Sequence, residues 1–323
     1  MSPKQSSAAS RRRREIDLLA VGELLVDLIS HEECNDLSEA RDFHCYPGGS
    51  PANLAANMAR TGNRTALIAC VGDDGMGAFL RQSLAESGVI SDYMVTVADK
   101  PTTLILIGKT AGTPDFIAYR MADRMILPEH IPDDLLERSS LYHTTCFALS
   151  RHPAQESILD GARRAKRFGC QLSIDVNYSP KIWSNRQAAQ LVIANYCSPG
   201  ALVKLSRDDI ARLFDDPEIS DENVISVFHE WGAELVCLTR GEQGSLVSWD
   251  HGKQRHEQPA RPVKVVDATG AGDAFWAGFL TAYLDGNTPP TCALAGANLA
   301  AIKLQHAGPL SGKISGKKLY GEW

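Results

Sequence analysis

Apolar runs of strand length alternate with segments of helical periodicity along most of this chain. A Gly-Glu pair interrupts the first of these runs, which cover residues 16–29, 65–71, 139–144, 171–175, 201–205, 235–239 and 245–249. Apolar residues at helical spacing predict helices over residues 52–61, 77–87, 154–168, 186–195, 208–214 and 223–231. The alternation predicts one large α/β domain with a mainly parallel sheet, whose ligands bind beyond the carboxyl ends of the strands.

Two segments depart from this alternation, residues 43–47 and residues 102–119. Both have the pattern of extended chain, and the second contains a glycine-rich turn with no helix between its halves. They predict a small antiparallel sheet that fits a lid over a substrate cleft, an oligomer contact or a simple edge hairpin. We expect lid segments near residues 37–48 and 101–121 of a single domain that spans residues 15–323.

The charge balance excludes a nucleic-acid-binding protein. The chain has 323 residues, with 39 acidic and 33 basic side chains and a formal net charge of -6. A protein that neutralises nucleic-acid phosphates needs a basic surplus on one face, and here only residues 11–14 form a basic run. Any bound phosphate must therefore be held by a local device such as a glycine-rich turn.

The composition otherwise predicts a globular cytoplasmic protein. Hydrophobic residues make up 44% of the chain, but no apolar run has the length of a membrane span. Residues 1–14 are rich in Ser, Ala and Arg without an apolar stretch, which favours a disordered tail over a secretory signal or a transit peptide. The eight cysteines are scattered, so we expect reduced thiols rather than disulfides or a zinc site.

The strongest chemical signal is the sequence VDATGAGDAFWAGFL at residues 266–280. It predicts a strand end, a Gly-Ala-Gly turn and a helix that opens near Asp273. The bare backbone amides of Gly270 and Gly272, together with the helix N-terminus, suit anionic phosphoryl oxygens. Asp273 beside them fits a base that takes a proton from an attacking hydroxyl. Alternatively, Asp273 only caps the helix and Gly270 only forms a turn.

The second signal is the sequence PGGSPANLAAN at residues 47–57, a Gly-Gly turn that leads into a helix of small residues. Glycines allow a ligand to approach the backbone closely, and Asn53 offers both a donor and an acceptor to a polyol. A tight turn before a helix that merely packs on the sheet would have the same pattern.

Together the two motifs resemble those of the ribokinase-like, or PfkB-type, carbohydrate kinases. That family carries Gly-Gly-x-x-x-Asn near its N-terminus and Asp-x-x-Gly-Ala-Gly-Asp near its C-terminus, and the likeness here runs from about residue 16 to residue 312. The resemblance implies an α/β three-layer sandwich with a mainly parallel sheet and a small β-sheet lid. It also implies ATP and Mg²⁺ as cofactors, a sugar substrate and a homodimer formed through the lids.

The resemblance also implies roles for single residues. Asp273 matches the catalytic base, beside an anion hole formed by the backbone amides of Gly270, Ala271 and Gly272. The residues that match sugar contacts are Asp27, Gly49, Asn53, Arg120 and Asn177. The residues that match the nucleotide site are Lys204, Thr239, Gly241, Gly244 and Asn298. Lys204 also fits an ordinary surface lysine, and His143 fits either a pocket residue or a packing residue.

Three segments resemble fructokinases in particular, GELLVD at residues 22–27, FIAYR at 116–120 and DVNYSPKIW at 175–183. They favour ATP-dependent phosphorylation of a primary hydroxyl of fructose. Kinases for 2-keto-3-deoxygluconate share much of this pattern, and Arg120 would pair with the carboxylate of that sugar. Ser179 stands where both groups commonly carry an arginine, and this departure weakens the acid-sugar alternative more than the fructose one.

Two further alternatives are disfavoured by the sequence. A phosphosugar substrate would need extra basic residues, and no Lys or Arg cluster stands beside Asn53 or Asp27. A catalytically silent sugar-sensing protein could share the fold, since fold does not imply function, but the retained Asp273 counts against it.

The resemblance finally implies a monovalent cation, K⁺, beside the anion hole. Asp267 would supply a charge, and Thr269 and backbone carbonyls near Gly308 would supply oxygen atoms, which suit a hard cation. Alternatively, Asp267 only caps the turn.

Overall fold

The structure, a computed structural model, describes residues 14–109 and 115–321. Its strands are β1 (Ile16–Val21), β2 (Leu25–Glu33), β3 (Phe43–Gly48), β4 (Thr65–Ile68), β5 (Cys70–Gly72), β6 (Val95–Val97), β7 (Leu104–Lys109), β8 (Asp115–Tyr119), β9 (Ser139–Thr145), β10 (Gln171–Asp175), β11 (Ala201–Ser206), β12 (Leu235–Thr239), β13 (Ser245–Trp249) and β14 (Gln254–Gln258). Its α-helices are α1 (Ser50–Arg60), α2 (Gly75–Ser87), α3 (Asp133–Glu137), α4 (Ala154–Arg167), α5 (Arg186–Cys197), α6 (Arg207–Phe214), α7 (Asp221–Glu230), α8 (Ala271–Leu284), α9 (Pro289–Leu304) and α10 (Gly316–Tyr320).

The large sheet has eight strands in the order β14-β13-β12-β11-β10-β9-β1-β4. The strands from β12 to β4 are parallel, and β13 and β14 add an antiparallel edge. Side chains of β1 alternate between two cores, with Leu19 and Val21 in one and Leu18 and Ala20 in the other. The first core also contains residues of α4 to α7, and the second contains residues of α1, α2, α8 and α9. Helices therefore cover both faces, which confirms the α/β three-layer fold.

The small sheet has the order β3-β2-β7-β8. β2 pairs antiparallel with β3 and parallel with β7, and β7 pairs antiparallel with β8. This arrangement confirms the separate small sheet expected from residues 43–47 and 102–119, but the expectation that it is antiparallel was wrong, because β2 from the first apolar run inserts between the two segments and runs parallel to β7. The turn expected between the halves of the second segment, residues 110–114, lies outside the described residues.

The prediction of one buried strand over residues 16–29 was wrong. The run contains two strands, β1 in the large sheet and β2 in the small sheet, with Gly22 and Glu23 at the junction. Both strands are apolar because each packs against a core, so hydrophobicity alone does not separate them. Consecutive residues of the chain thus link the large sheet to the small one.

The boundary of the expected N-terminal tail also needs correction. Residues 1–13 lie outside the described residues, but Arg14 is held by hydrogen bonds from its guanidinium to the carbonyls of Ser139 (2.9 Å) and Phe168 (2.6 Å). Across residues 14–109 and 115–321, every helix is too short or too polar to cross a membrane. The eight cysteines all lie within the described residues and form no disulfide, and Cys45 alone among them is exposed.

Candidate active site

The Gly-Ala-Gly turn leads directly into α8. Gly270 is the N-cap with φ of 72°, a left-handed conformation that favours glycine. The helix begins at Ala271, earlier than the sequence suggested, so Asp273 lies in its first turn. Ala271 already donates its N–H to the carbonyl of Ala268 at 3.2 Å, which leaves the amides of Gly270 and Gly272 as the better candidates for an anion hole.

The carboxylate of Asp273 is held by α1. Ser50 donates its hydroxyl to Oδ1 at 2.7 Å, and Asn53 donates its amide to Oδ2 at 2.9 Å. Burial, followed by the nearby charge of Asp175, raises the pKa of Asp273 to about 6, against the opposing effects of Lys204 and these two hydrogen bonds. The structure therefore brings together Asn53 and Asp273, the central residues of the two sequence motifs.

The turn before α1 requires two glycines because residues of the small sheet and its junction approach the backbone there closely. Gly49, the N-cap of α1, has φ of 105°, and a Cβ there would collide with the carbonyl of Glu23. A Cβ on Gly48 would collide with the carboxylate of Asp27. The two glycines thus let the small sheet and the start of α1 pack together, with Asp27 directly over the turn.

Asp27 is a second acidic group at the same cleft. It lies on β2, opposite Tyr46 of β3 and Ile105 of β7. Burial, followed by the charge of Asp273, raises the pKa of Asp27 to about 7. Two carboxylates with raised pKa values in one cleft are typical of a site that handles protons.

A buried ion pair lies beneath the anion hole. Lys204 of β11 and Asp175 of β10 are register neighbours, and their Nζ and Oδ2 atoms are 2.7 Å apart. A Cβ on Gly272 would lie 3.0 Å from the lysine Nζ, so this glycine leaves room for the ammonium. Lys204 is only 6% exposed, which excludes an ordinary surface lysine.

The nucleotide candidates lie in two places. Thr239 ends β12 beside Ser206 of β11, and Gly241 and Gly244 form the turn that follows, at the carboxyl edge of the large sheet. The side chain of Asn298 instead contacts Arg261 and the C-terminal segment. Its amide donates to the carbonyls of Leu319 (2.9 Å) and Gly321 (3.1 Å), and its oxygen accepts from Arg261 at 2.8 Å.

Arg120 and Asn177, the other sugar candidates, differ in how far their polar atoms are engaged. Nε of Arg120 donates to Asp123 at 2.6 Å, and the guanidinium lies 3.9 Å from the centre of the Phe147 ring. Oδ1 of Asn177 is buried and has no hydrogen-bond partner within the described residues, so it can accept from a ligand. His143 is fully buried and bonds Ser173 at 3.0 Å, so it is a packing residue.

The expected cation ligands surround a lysine. Oδ1 of Asp267 accepts from the backbone N–H of Thr269 at 2.9 Å, and Oδ2 accepts from the N–H of Gly308 at 3.1 Å. The ammonium of Lys303 lies 3.2 Å from Oδ2 of Asp267 and 3.2 Å from the carbonyl oxygen of His306. Partial burial favours a higher pKa for Asp267, but these amides and the charge of Lys303 hold the pKa below its usual value.

A cavity of about 460 Å³ has Asp27, Asn53, Gly270 and Asp267 in its wall. Asp273 and the nucleotide candidates are not among its lining residues. The cavity wall also contains basic residues that the sequence near Asn53 and Asp27 did not reveal. The fold brings basic side chains from distant parts of the chain to this cavity, namely His31, His44, Arg60, Lys109 and Lys303.

Sequence reasoning missed several residues that the site uses. Ser50 and Asp175 both contact assigned residues, and both lie within segments that the sequence singled out, residues 47–57 and 175–183, without being assigned a role there. Asp209 forms a capping box with Ser206 at the start of α6, close enough to Lys204 for their charges to interact. A Ser-x-x-Asp pattern after a strand was the available signal for Asp209. No comparable signal marked Lys303.

Comparison with known proteins agrees with this geometry. Residues 15–314 match the description "pfkB family carbohydrate kinase". An ATP-dependent 6-phosphofructokinase of Thermoanaerobacterium thermosaccharolyticum is 33% identical over 92% of this chain and 90% of its own. A 5-dehydro-2-deoxygluconokinase of Geobacillus kaustophilus is 27% identical over 90% and 88%. A solved fructokinase of Halothermothrix orenii has a TM-score of 0.76 and 32% identity, and the match covers 87% of this chain and 98% of that one. The chain belongs to the pfkB family of carbohydrate kinases.

Proposed function

We propose that this protein transfers the γ-phosphoryl group of ATP to a primary hydroxyl of a sugar, and that the sugar is fructose. The observation that carries the proposal is the position of Asp273, in the first turn of α8 and hydrogen-bonded to Ser50 and Asn53. A base at this point stands between the sugar side of the cleft and the helix N-terminus that suits phosphoryl oxygens.

The reaction follows from these contacts. Asp27, Asn53 and Asn177 bind sugar hydroxyls, and Asp273 takes the proton of the hydroxyl whose oxygen attacks the γ-phosphorus. The bond from that phosphorus to the bridging oxygen of ATP breaks, ADP leaves, and the proton stays on Asp273. The amides of Gly270 and Gly272 stabilise charge on the transferring group.

Nucleotide and metal are held on the other side of this point. Thr239, Gly241 and Gly244 form one wall for the nucleotide, while Lys204 lies beneath Gly272 and offsets phosphate charge. Mg²⁺ in kinases is held by one or two carboxylates together with phosphates, and the buried carboxylate of Asp209, near Lys204, is the candidate ligand, whereas Asp175 is already paired with Lys204 at 2.7 Å. Bound Mg²⁺ would neutralise charge on the β- and γ-phosphates. Asn298 is a weaker candidate, because its side chain already holds the C-terminal segment.

Fructose is favoured over an acid sugar by the state of Arg120. A carboxylate substrate needs an uncompensated cation, but Arg120 is paired with Asp123, and its Nη1 donates to the carbonyl of Phe147 (3.1 Å) and to Ser150 (2.9 Å). Since Ser179 offers no charge either, the cleft lacks an obvious clamp for the carboxylate of 2-keto-3-deoxygluconate. Arg120 then acts as a support for the sugar site.

Fructose 6-phosphate is a second candidate, favoured by the basic lining of the cavity. His31, His44, Arg60 and Lys109 reach the same cavity as Asp27, and a phosphate needs such groups. The 33% identity to an ATP-dependent 6-phosphofructokinase points in the same direction.

A coupled assay of ADP formation separates the candidates. Purified protein is given fructose, fructose 6-phosphate, 2-keto-3-deoxygluconate, 5-dehydro-2-deoxygluconate and a nucleoside at equal concentrations. The highest kcat/KM on fructose supports the proposal, and a preference for fructose 6-phosphate that Lys109→Ala and Arg60→Ala abolish supports the second candidate. ATP turnover on none of these sugars would contradict both and favour a catalytically silent protein.

The small sheet is proposed as the lid of this cleft and as the dimer contact. β8 is an edge strand, and its Ile117 and Tyr119 point to one face with 47% and 48% of their surface exposed. Exposed apolar side chains on an edge strand favour burial against a second copy. A cytoplasmic location remains an expectation, supported by the eight free thiols.

A further inference from the structure

The buried ammonium of Lys303 lies among oxygen atoms of two loops. Nζ is 3.2 Å from Oδ2 of Asp267, 3.5 Å from the carbonyl oxygen of Asp267 and 3.2 Å from the carbonyl oxygen of His306. The lysine side chain is 6% exposed. A buried charge is costly unless it is paired and hydrogen-bonded, and here one carboxylate and two carbonyls meet that need.

The same carboxylate joins the loop before α8 to the loop after α9. Asp267 accepts from Thr269 on one side and from Gly308 on the other, and the N–H of Val266 donates to the carbonyl of Leu304 at 2.7 Å. Gly270, the N-cap of α8, follows three residues after Asp267. Through Asp267, Lys303 therefore influences the position of the backbone amides of Gly270 and Gly272, which would bind the phosphoryl oxygens.

This oxygen set does not fit a potassium ion. The ligands expected for K⁺ were Asp267, Thr269 and carbonyls near Gly308, and Lys303 uses the carboxylate and the neighbouring carbonyls itself. The lysine head group is a compact point charge, as K⁺ is. Two like charges on the same oxygen atoms would repel each other strongly at low dielectric.

We propose that Lys303 is a built-in cation, which makes the activity of this chain independent of K⁺. Its ammonium holds the loops around Asp267 and Gly308 together, so the amides of Gly270 and Gly272 are ordered before ATP arrives. Lys303 is thus a positioning residue that acts through Asp267. The effect on kcat rests on the proposed function, but the effect of K⁺ on the melting temperature, Tm, does not.

The test compares KCl with tetramethylammonium chloride at constant ionic strength. Wild-type kcat, measured on the best substrate of the panel, should change by less than about twofold, and Tm should not move, because the cation is covalently attached. Lys303→Met leaves a cavity with a carboxylate and carbonyls. In tetramethylammonium chloride, the kcat of Lys303→Met should be about 10- to 100-fold lower than that of wild type. Losses of this size are typical when a residue that supports an ion site is replaced. K⁺ should restore kcat along a saturating curve and should raise the Tm of this variant alone.

Lys318→Met, at an exposed lysine of α10, is the matched control and should behave as wild type in both salts. Wild-type activation by K⁺ of more than about threefold, or a rise in wild-type Tm with K⁺, would overturn the proposal. So would full activity of Lys303→Met in tetramethylammonium. If Lys303→Met does not fold, the wild-type measurements still decide. If no sugar is turned over, the proposed function fails, whereas the Tm comparison still tests the built-in cation.

Discussion

Asn53 and Asp273, 220 positions apart in the chain, are joined by a hydrogen bond of 2.9 Å from the amide nitrogen to Oδ2 of the carboxylate. Ser50, one turn earlier on α1, holds the other oxygen at 2.7 Å. Both bonds lower the pKa of Asp273. The residue assigned to the sugar therefore also sets the proton affinity of the proposed base.

Two alanine variants separate these roles. Asn53→Ala and Ser50→Ala each remove one donor to Asp273, so both should raise its pKa and move the acid limb of kcat/KM to higher pH. Only Asn53→Ala should also raise the sugar KM, by about tenfold for one lost hydrogen bond of ~1.4 kcal/mol, with little change in the KM for ATP. Steady-state kinetics between pH 5 and 8 measure both effects. An equal rise of the sugar KM in the two variants would contradict the assignment of Asn53 to the sugar.

The pH profile of the wild-type enzyme should report the raised pKa of Asp273. The base must be ionised to accept a proton, and its pKa lies at about 6 instead of 3.8, so kcat/KM should fall as the pH drops through about 6. Asp273→Asn keeps the shape but not the basicity and should lose about 10²- to 10⁴-fold in kcat, with nucleotide binding retained. Turnover of this variant within about threefold of wild type would remove Asp273 from its role.

Lys204→Met should affect stability and catalysis together. It leaves Asp175 buried without its partner, which typically costs about 3–5 kcal/mol of unfolding free energy. Loss of the lysine charge should also raise the pKa of Asp273, so the acid limb moves to higher pH. Urea denaturation and the pH profile measure the two effects. Lys181→Met breaks the exposed pair with Asp115 and should leave the urea midpoint almost unchanged, because solvent screens exposed ion pairs.

The lid contact predicts a change of oligomeric state. Ile117→Lys places a charge in the apolar patch of β8 and should convert the proposed homodimer to a monomer, as measured by light scattering after gel filtration. Leu191→Lys, at a side chain 72% exposed on α5, is the control and should leave the dimer intact. A monomeric wild type would exclude the homodimer.

The sequence predicts the elements whose burial produces an apolar run or a helical period. Strands such as β10 and β12 are buried on both faces and appear as apolar runs. α9 was not predicted, because its residues are buried nearly all round and no polar face produces a helical period. β2 could not be assigned to the small sheet, since an apolar run does not tell which sheet it joins.

The sequence indicates which site residues act together only where those residues are close in the chain. Gly270 to Asp273 and Gly48 to Asn53 are compact motifs whose chemistry follows from residue type. The pair of Lys204 and Asp175 depends on strand register, and the contact of Lys303 with Asp267 spans 36 positions. Neither spacing has a recognisable period, so only the folded chain reveals these charge pairs.

Asp27 and Asp273 stand on different parts of the fold, one on the small sheet and the other on a helix packed against the large sheet. When both are ionised in an empty cleft they repel, and the raised pKa of Asp27 partly reflects this. We infer that a sugar that donates one hydroxyl to each carboxylate replaces repulsion with two hydrogen bonds. Calorimetry in buffers of different ionisation enthalpy would show proton exchange on sugar binding near pH 7, and no exchange would contradict this. Closure of the proposed lid, the small sheet that carries Asp27, would then be favourable only with a sugar bound. The closed cleft would therefore rarely hold ATP with water in place of the sugar, and ATP hydrolysis would be suppressed.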